Sequence, residues 1–408
     1  MNRVAGFVSS VFGAQPAGSI ARFERLDVWR GVAIIAVFGY HLLAGVFGGV
    51  DHLPFVEEGR DYAAAPHPSF LVFYGFTFGW VGVILFFVIS GFCIHWSFLR
   101  WQNQPARPTS FRRFTAGFYW RRFWRIYPPY LVALLFWAIY SGYSLFSLDH
   151  LAVLLPHAAM LHNFHSGHFF AIYPPFWSIA VELQLYLVYP LVLLLYRRFG
   201  VTSLLALVIV GLAYRFAPWK ALVADEGIRF AIRQAPFSYW PQWLLGALVA
   251  ELVMRRVRPP ALLPLLLLGM GCAFFWLAEN RGTFGGGEIC AATAFAAIIW
   301  MVGMDERPLG SFERLLAFTG VASYSLYMYH GVAYPAVNVA TRHFGTVWAG
   351  LTFGALCMFL LLTLGSWCLH RLVEKPSERL GAVLWKSIGR VRQKAPRMVA
   401  APEPSLTS

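Results

Sequence analysis

Charge is scarce in this chain. Asp, Glu, Lys and Arg together make up 13% of its 408 residues, about half the share found in soluble domains, which excludes an ordinary water-exposed fold. Acid is scarcer still: 19 Asp and Glu stand against 33 Lys and Arg, a formal net charge of +14. In a soluble protein that excess would point to nucleic acid. Here the basic residues sit in the gaps between apolar runs, where they read as topology signals, and nucleic acid is not expected as a partner. Only five cysteines occur, scattered through or beside the apolar runs without metal-type spacing. Neither a disulfide framework nor a zinc site is indicated. No long polar stretch is present, which excludes a separate soluble domain, and no internal repeat is visible, which speaks against transporter folds built from inverted repeats.

What the chain has in abundance is apolar and aromatic sequence, 58% and 17% of residues. Stretches at 27–49, 72–98, 127–147, 176–196, 201–218, 236–254, 260–278, 288–304, 315–337 and 347–369 match a hydrocarbon core of about 30 Å. The expected fold is therefore all-α, a polytopic transmembrane bundle of about ten spanning helices. The segment 151–164, short and holding Pro156, reads as re-entrant or interfacial. With that choice the arginines of 99–126, Arg197/Arg198, Arg255/Arg256/Arg258 and the basic tail all fall on one side, as the positive-inside rule asks. The acidic loop 50–70 falls on the other. Both termini are placed in the cytoplasm, with residues 1–24 as an N-terminal arm, 25–380 as the transmembrane domain and 381–408 as a basic, disordered tail.

Ionisable residues inside spanning helices cost roughly 2.5 kcal/mol or more each and so point to function. Arg30 and His41 both lie in the first span. Eleven residues at about 100° each place them on one helical face, about 16 Å apart along the axis. Glu182 in the fourth span and His330 in the ninth fall at the depth of His41, so the three are expected to share one cavity. At the opposite surface Arg122 and Arg125, three residues apart, form a clamp suited to phosphate. Asp27, three residues before Arg30, can hold its guanidinium, and Ser90-Gly91 fits close helix packing. The histidines at 157, 162, 165 and 168 lack the paired helical spacing of a metal site.

The motifs RLDVWRGVAIIAVFGYH (25–41), GWVGVILFFVISGF (79–92), RRFWRIYP (121–128), FWSIAVELQLYLVYPL (176–191), SYSLYMYH (323–330) and VEKPSERL (373–380) together resemble the bacterial acyltransferase family 3, integral-membrane O-acyltransferases. The resemblance covers nearly the whole chain, in the family's order. One departure is visible: the family commonly has two adjacent acids after Trp-Ser, whereas Glu182 is followed by Leu183. The resemblance implies transfer of an acyl group, usually acetyl from acetyl-CoA as co-substrate, to a carbohydrate hydroxyl, with no bound cofactor. It also implies a multi-pass protein of the bacterial inner membrane. Arg30, Arg122 and Arg125 would hold acyl-CoA arriving from the cytoplasm. His41 would act as general base, with Glu182 or His330 orienting it or the acceptor, and Trp177 and Tyr324 would support the site from within the matching motifs. The rival reading is a transporter or flippase for a sugar or lipid-linked substrate that relays protons through buried His and Glu. Acceptor identity, acyl chain length, oligomeric state and the choice between direct transfer and a covalent acyl-enzyme on His41 or Ser90 are not encoded in readable form.

Overall fold

The computed structural model describes residues 17–47, 75–104, 110–278, 284–344 and 347–394. All regular structure among them is helical, with no strand. The long elements are α1 (Ala17–Phe47), α2 (Val81–Gln102), α3 (Phe111–Tyr140), α4 (Leu148–Ala158), α5 (Phe176–Phe199) and α6 (Val201–Phe216). A short α7 (Glu226–Gln234) leads to α8 (Pro236–Met254), α9 (Leu263–Ala278) and α10 (Phe284–Met304). The chain closes with α11 (Ser311–Val321), α12 (Ser323–Tyr329), α13 (Ala333–His343), α14 (Val347–Leu369) and α15 (Lys375–Lys394).

Each of the ten expected spans holds helix, but five stretches among the described residues are long and apolar enough to cross a bilayer: 24–47, 81–102, 176–199, 285–304 and 349–388. The others fall short for physical reasons. Helices α6 and α9 are apolar but have only 16 residues each, about 24 Å of rise. Helix α3 extends back to Phe111 and carries the arginine-aromatic segment, with Pro128 and Pro129 within it. The expected span 315–337 is not one helix. It breaks at Ala322 and again at His330–Val332, where three residues wind as a 3-10 turn. Segment 151–164 holds the end of the 11-residue α4, then Met160 in the left-handed region at φ 54 and a 3-10 turn at His162–Phe164.

The tail boundary is corrected. Helix α15 runs to Lys394, because Ser377, Gly381 and Trp385 form one stripe at helical spacing that docks on α3. Ser377 donates to the Trp124 carbonyl, the Trp120 indole donates to the Gly381 carbonyl at 2.6 Å, and Trp385 packs 6.0 Å from Trp120. Of the assigned tail, 381–394 is thus helical, while the loop 50–70 and residues beyond 394 lie outside the described residues.

Helix α2 is the centre of the bundle. Phe87, Val88, Phe92, Phe98 and most of its other side chains are buried, so its apolar character on all faces reflects burial on all faces. It meets α8 at very short range, because Gly91 and Gly246 face each other's backbones. A Cβ on Gly91 would collide with the Trp243 carbonyl, and one on Gly246 with the Val88 carbonyl. Small residues at such crossings let backbones approach where lipid supplies no hydrophobic drive. Gly91→Ala is expected to push α2 and α8 apart and cost about 1–3 kcal/mol, seen as a lower unfolding temperature of the detergent-purified protein. An unchanged transition would mean the crossing is looser than described. Outward faces carry exposed leucines such as Leu191, Leu266 and Leu360, an apolar belt fitted to lipid.

Candidate active site

One cavity, about 1310 Å³ including its open mouth, runs between α1, α2, α3, α5, α11 and α12 and the junction of α14 with α15. On α2 its lining extends from Val83 to Ile94, which at 1.5 Å per residue is about 16 Å. Its two ends differ chemically.

At one end stand Arg30, Arg122 and Arg125 with Asp27, Glu374 and Glu378. Arg30 is occupied: its guanidinium bonds Asp27 at 2.5 Å and the Cys93 sulfur at 3.4 Å. Arg125 has Glu378 at 4.0 Å. Arg122 is different, because among the described residues it has no carboxylate partner and its Nε has no hydrogen-bond partner. It lies instead over the rings of Tyr186 and Phe118, 5.5 and 5.9 Å from their centroids. A cation in a recess with no carboxylate in direct contact among the described residues, Glu182 acting on it only from a distance, is poised to receive an anion.

Glu374 and His370 reach this end through a turn of π-helix at His370–Glu374, a geometry that recurs at functional sites. Their side chains bond at 2.8 Å, and Ser325 donates to the other Glu374 oxygen. The motif VEKPSERL holds both Glu374 and Glu378, yet no site residue follows from it by sequence reasoning. The signal available is a pair of acids one helical turn apart just after an apolar run.

At the middle lie Glu182, Tyr186, Ser90 and Tyr324. Glu182 accepts from the Tyr186 hydroxyl at 2.5 Å. Tyr324 donates to the Ile126 carbonyl at 2.9 Å, tying α12 to α3. Trp177 does not line the cavity. It stands outside it, stacked on Phe169 at 5.6 Å and beside Tyr239 at 5.3 Å.

The far end is lined by Phe86 and Tyr327, whose rings lie 6.1 Å apart, and by Ser178, hydrogen-bonded to the Tyr327 hydroxyl at 2.6 Å. Directly behind Tyr327, at 5.7 Å between rings, stands His330. His330 and His41 meet there, Nε2 to Nδ1 at 3.2 Å. Glu182, expected to join them, lies on the cavity side of Tyr327 instead, since Ser178, one turn earlier on α5, occupies the level of that ring. Among the described residues no hydrogen bond links Glu182 to either imidazole.

The protons of this pair can be assigned from their partners. The break after Tyr329 leaves the Tyr327 carbonyl outside the helical ladder, 2.7 Å from His330 Nδ1. A carbonyl can only accept, so Nδ1 carries the proton in neutral His330 and Nε2 is a lone pair. That lone pair faces His41 Nδ1, which is also 3.0 Å from the Val37 carbonyl. His41 Nδ1 must then be the protonated nitrogen, and His41 Nε2 remains as an acceptor with no hydrogen bond among the described residues. Tyr173 buttresses the arrangement: its hydroxyl lies 3.0 Å from His330 Nδ1 and accepts from the Gly331 amide at 3.1 Å, and its ring stacks on Trp137 at 4.1 Å. An oriented imidazole with one free lone pair is suited to take a proton from a hydroxyl.

Of the four histidines at 157, 162, 165 and 168, His157 stacks on His162 at 4.0 Å, and the His165 and His168 rings lie tilted to each other at 4.2 Å. Among the described residues no three His, Cys, Asp or Glu gather as metal ligands.

A family model described as an acyltransferase domain matches residues 23–371. The acyltransferase MdmB of Streptomyces mycarofaciens is 24% identical over 401 aligned positions, covering 88% of this chain and 93% of that protein. The peptidoglycan O-acetyltransferase OatA of Listeria monocytogenes is 22% identical over 351 positions, covering 78% of this chain but only 49% of that longer relative. No solved structure matches.

Proposed function

Because the chain belongs to acyltransferase family 3 and is therefore an acyltransferase of the membrane-embedded kind, we propose that it transfers an acyl group, acetyl in the first instance, from acyl-CoA to a carbohydrate hydroxyl. One observation carries this reading: among the described residues one cavity has, beside Arg30 and Arg125 at one end, an Arg122 without an ion-pair contact, and abuts at the other an imidazole whose Nε2 makes no hydrogen bond. Cations suit the phosphates of the donor nucleotide. A pantetheine arm is long and thin enough for a recess of about 16 Å.

In this mechanism Arg122 and Arg125, with Arg30 braced by Asp27, hold the phosphates. The thioester then lies toward Ser178 and Tyr327. His41 Nε2 removes the acceptor's hydroxyl proton as its oxygen attacks the thioester carbonyl. The C–S bond breaks and the CoA sulfur leaves as thiolate, which takes up a proton. His330 orients His41 by accepting from its Nδ1–H, and Glu182, on the cavity side, orients the acceptor. Among the described residues Ser90 Oγ touches the Tyr186 hydroxyl and the Trp243 indole and no base directly, which supports direct transfer over a serine acyl-enzyme.

In this reading the arginine end, which adjoins the basic gap 99–126, opens at the cytoplasmic face of the bacterial inner membrane, with both termini on that side. The remaining spans of the proposed ten would then be completed by α3, α6, α8, α9 and the broken α11–α13 segment. A proton-relaying transporter is disfavoured by the family match. Purified protein given acetyl-CoA labelled in the acetyl group and a polysaccharide acceptor is expected to move label to the polymer. CoA binding without transfer to any hydroxyl acceptor would overturn the reading.

A further inference from the structure

The hydroxyls at the middle of the cavity form a chain whose direction is fixed by its ends. The Trp243 indole N–H lies 3.2 Å from Ser90 Oγ, and an indole can only donate. Ser90 Oγ lies 2.8 Å from the Tyr186 hydroxyl. That hydroxyl spends its one proton on the Glu182 carboxylate, which can only accept. The Ser90 proton must therefore go to the Tyr186 oxygen, and every donor in the series Trp243, Ser90, Tyr186, Glu182 points the same way. Such chains polarise their members and hold the terminal group more firmly than one bond would.

The same tyrosine has a second task. Its ring is one of the two that carry the Arg122 guanidinium, at 5.5 Å. Hydroxyl and ring thus position two different groups, one acidic and one basic, in a single cavity.

We infer that Tyr186 is the positioning residue that couples the donor-binding arginine to the acceptor-orienting carboxylate, its ring setting Arg122 and its hydroxyl, backed by Ser90 and Trp243, setting Glu182. This rests on the proposed acyl-CoA reading, and it divides the residue's effect in a way a merely structural role would not. Tyr186→Phe keeps the ring and removes the hydroxyl. Acyl-CoA KM and CoA affinity are expected to stay within about twofold of wild type while kcat falls roughly tenfold to a hundredfold. Tyr186→Leu removes both, so the same fall in kcat is joined by a rise in KM of about tenfold, the scale of a desolvated cation–π contact and the alignment it gives. Ser90→Ala, which leaves Tyr186 in place but without its donor, is expected to lower kcat less than Tyr186→Phe and to leave KM alone.

The experiment measures steady-state transfer from labelled acetyl-CoA and calorimetric CoA binding for the three variants, with unfolding temperatures as a control on folding. Should Tyr186→Phe match wild type in kcat, or raise KM as much as Tyr186→Leu, the coupling role is wrong while the donor assignment stands. A wild-type protein that binds no CoA would instead remove the donor assignment, and this inference with it.

Discussion

His41→Ala is expected to lower acyl transfer by roughly a hundredfold to ten-thousandfold, the range associated with one positioned general base. The acyl-CoA KM should stay near its wild-type value. Among the described residues His41 Nε2 is the acceptor of the imidazole pair left without a hydrogen bond, whereas Arg30, eleven residues earlier on the same helix, sits about 16 Å away. His330→Ala should cost less, about tenfold to a hundredfold, because the Val37 carbonyl at 3.0 Å still accepts from His41 Nδ1. The proton then stays on the same nitrogen, and what is lost is the second restraint on ring orientation. Single-turnover transfer of label with donor saturating reads both effects. Equal losses in the two variants would assign the proton-accepting role to the pair jointly, and wild-type rates in His41→Ala would refute it.

The second large effect is on donor binding. Arg122→Gln is expected to weaken CoA binding by roughly tenfold to a hundredfold, equivalent to losing one charge-assisted hydrogen bond of about 1.5–3 kcal/mol. It should spare the fold, since the described structure gives Arg122 no carboxylate that would be left unpaired. Arg30 is a poorer probe: its removal strands Asp27, buried at 7% exposure, without its partner at 2.5 Å, so affinity and stability would fall together. Glu378→Gln provides the opposing control. Its carboxylate lies 4.0 Å from Arg125 and competes with any incoming phosphate, so neutralising it should leave affinity unchanged or raise it. Both shifts should shrink at high ionic strength as the charges are screened. Unaltered CoA affinity in Arg122→Gln would place the nucleotide elsewhere.

The class of fold was legible from composition and the length of apolar runs, and helix occurs in all ten marked stretches. The count of continuous spans was less so. SYSLYMYH offers no proline or glycine, so the interruption that begins at His330 is not announced by the residues before it, whereas the one at Ala322 follows Gly320, a residue that weakens helices. The start of α3 was obscured because its arginines and aromatics alternate as an interfacial belt would. Among site residues, His41 and His330 could be matched by depth alone, and Arg30, Arg122 and Arg125 by sidedness. Glu182 was expected to share one cavity with the two histidines and is instead separated from them by Tyr327, since depth along an axis does not say which aromatic stands between. Tyr186, Glu374 and His370 went unmarked because their importance lies in partners remote in sequence: Ser90 is 96 residues from Tyr186, and Ser325 is 49 from Glu374.

The acceptor that fixes the proton on His330 belongs to the main chain of residue 327, released by the break in the helix. A main-chain oxygen is present whatever amino acid stands there, so exchange of the phenol would alter the cavity wall and leave this acceptor in place. Inheritance of the proton's position therefore depends on keeping the helix broken rather than on keeping any one neighbour. In diverged relatives the side chain at 327 can change without moving this proton, provided the interruption of the helix is kept.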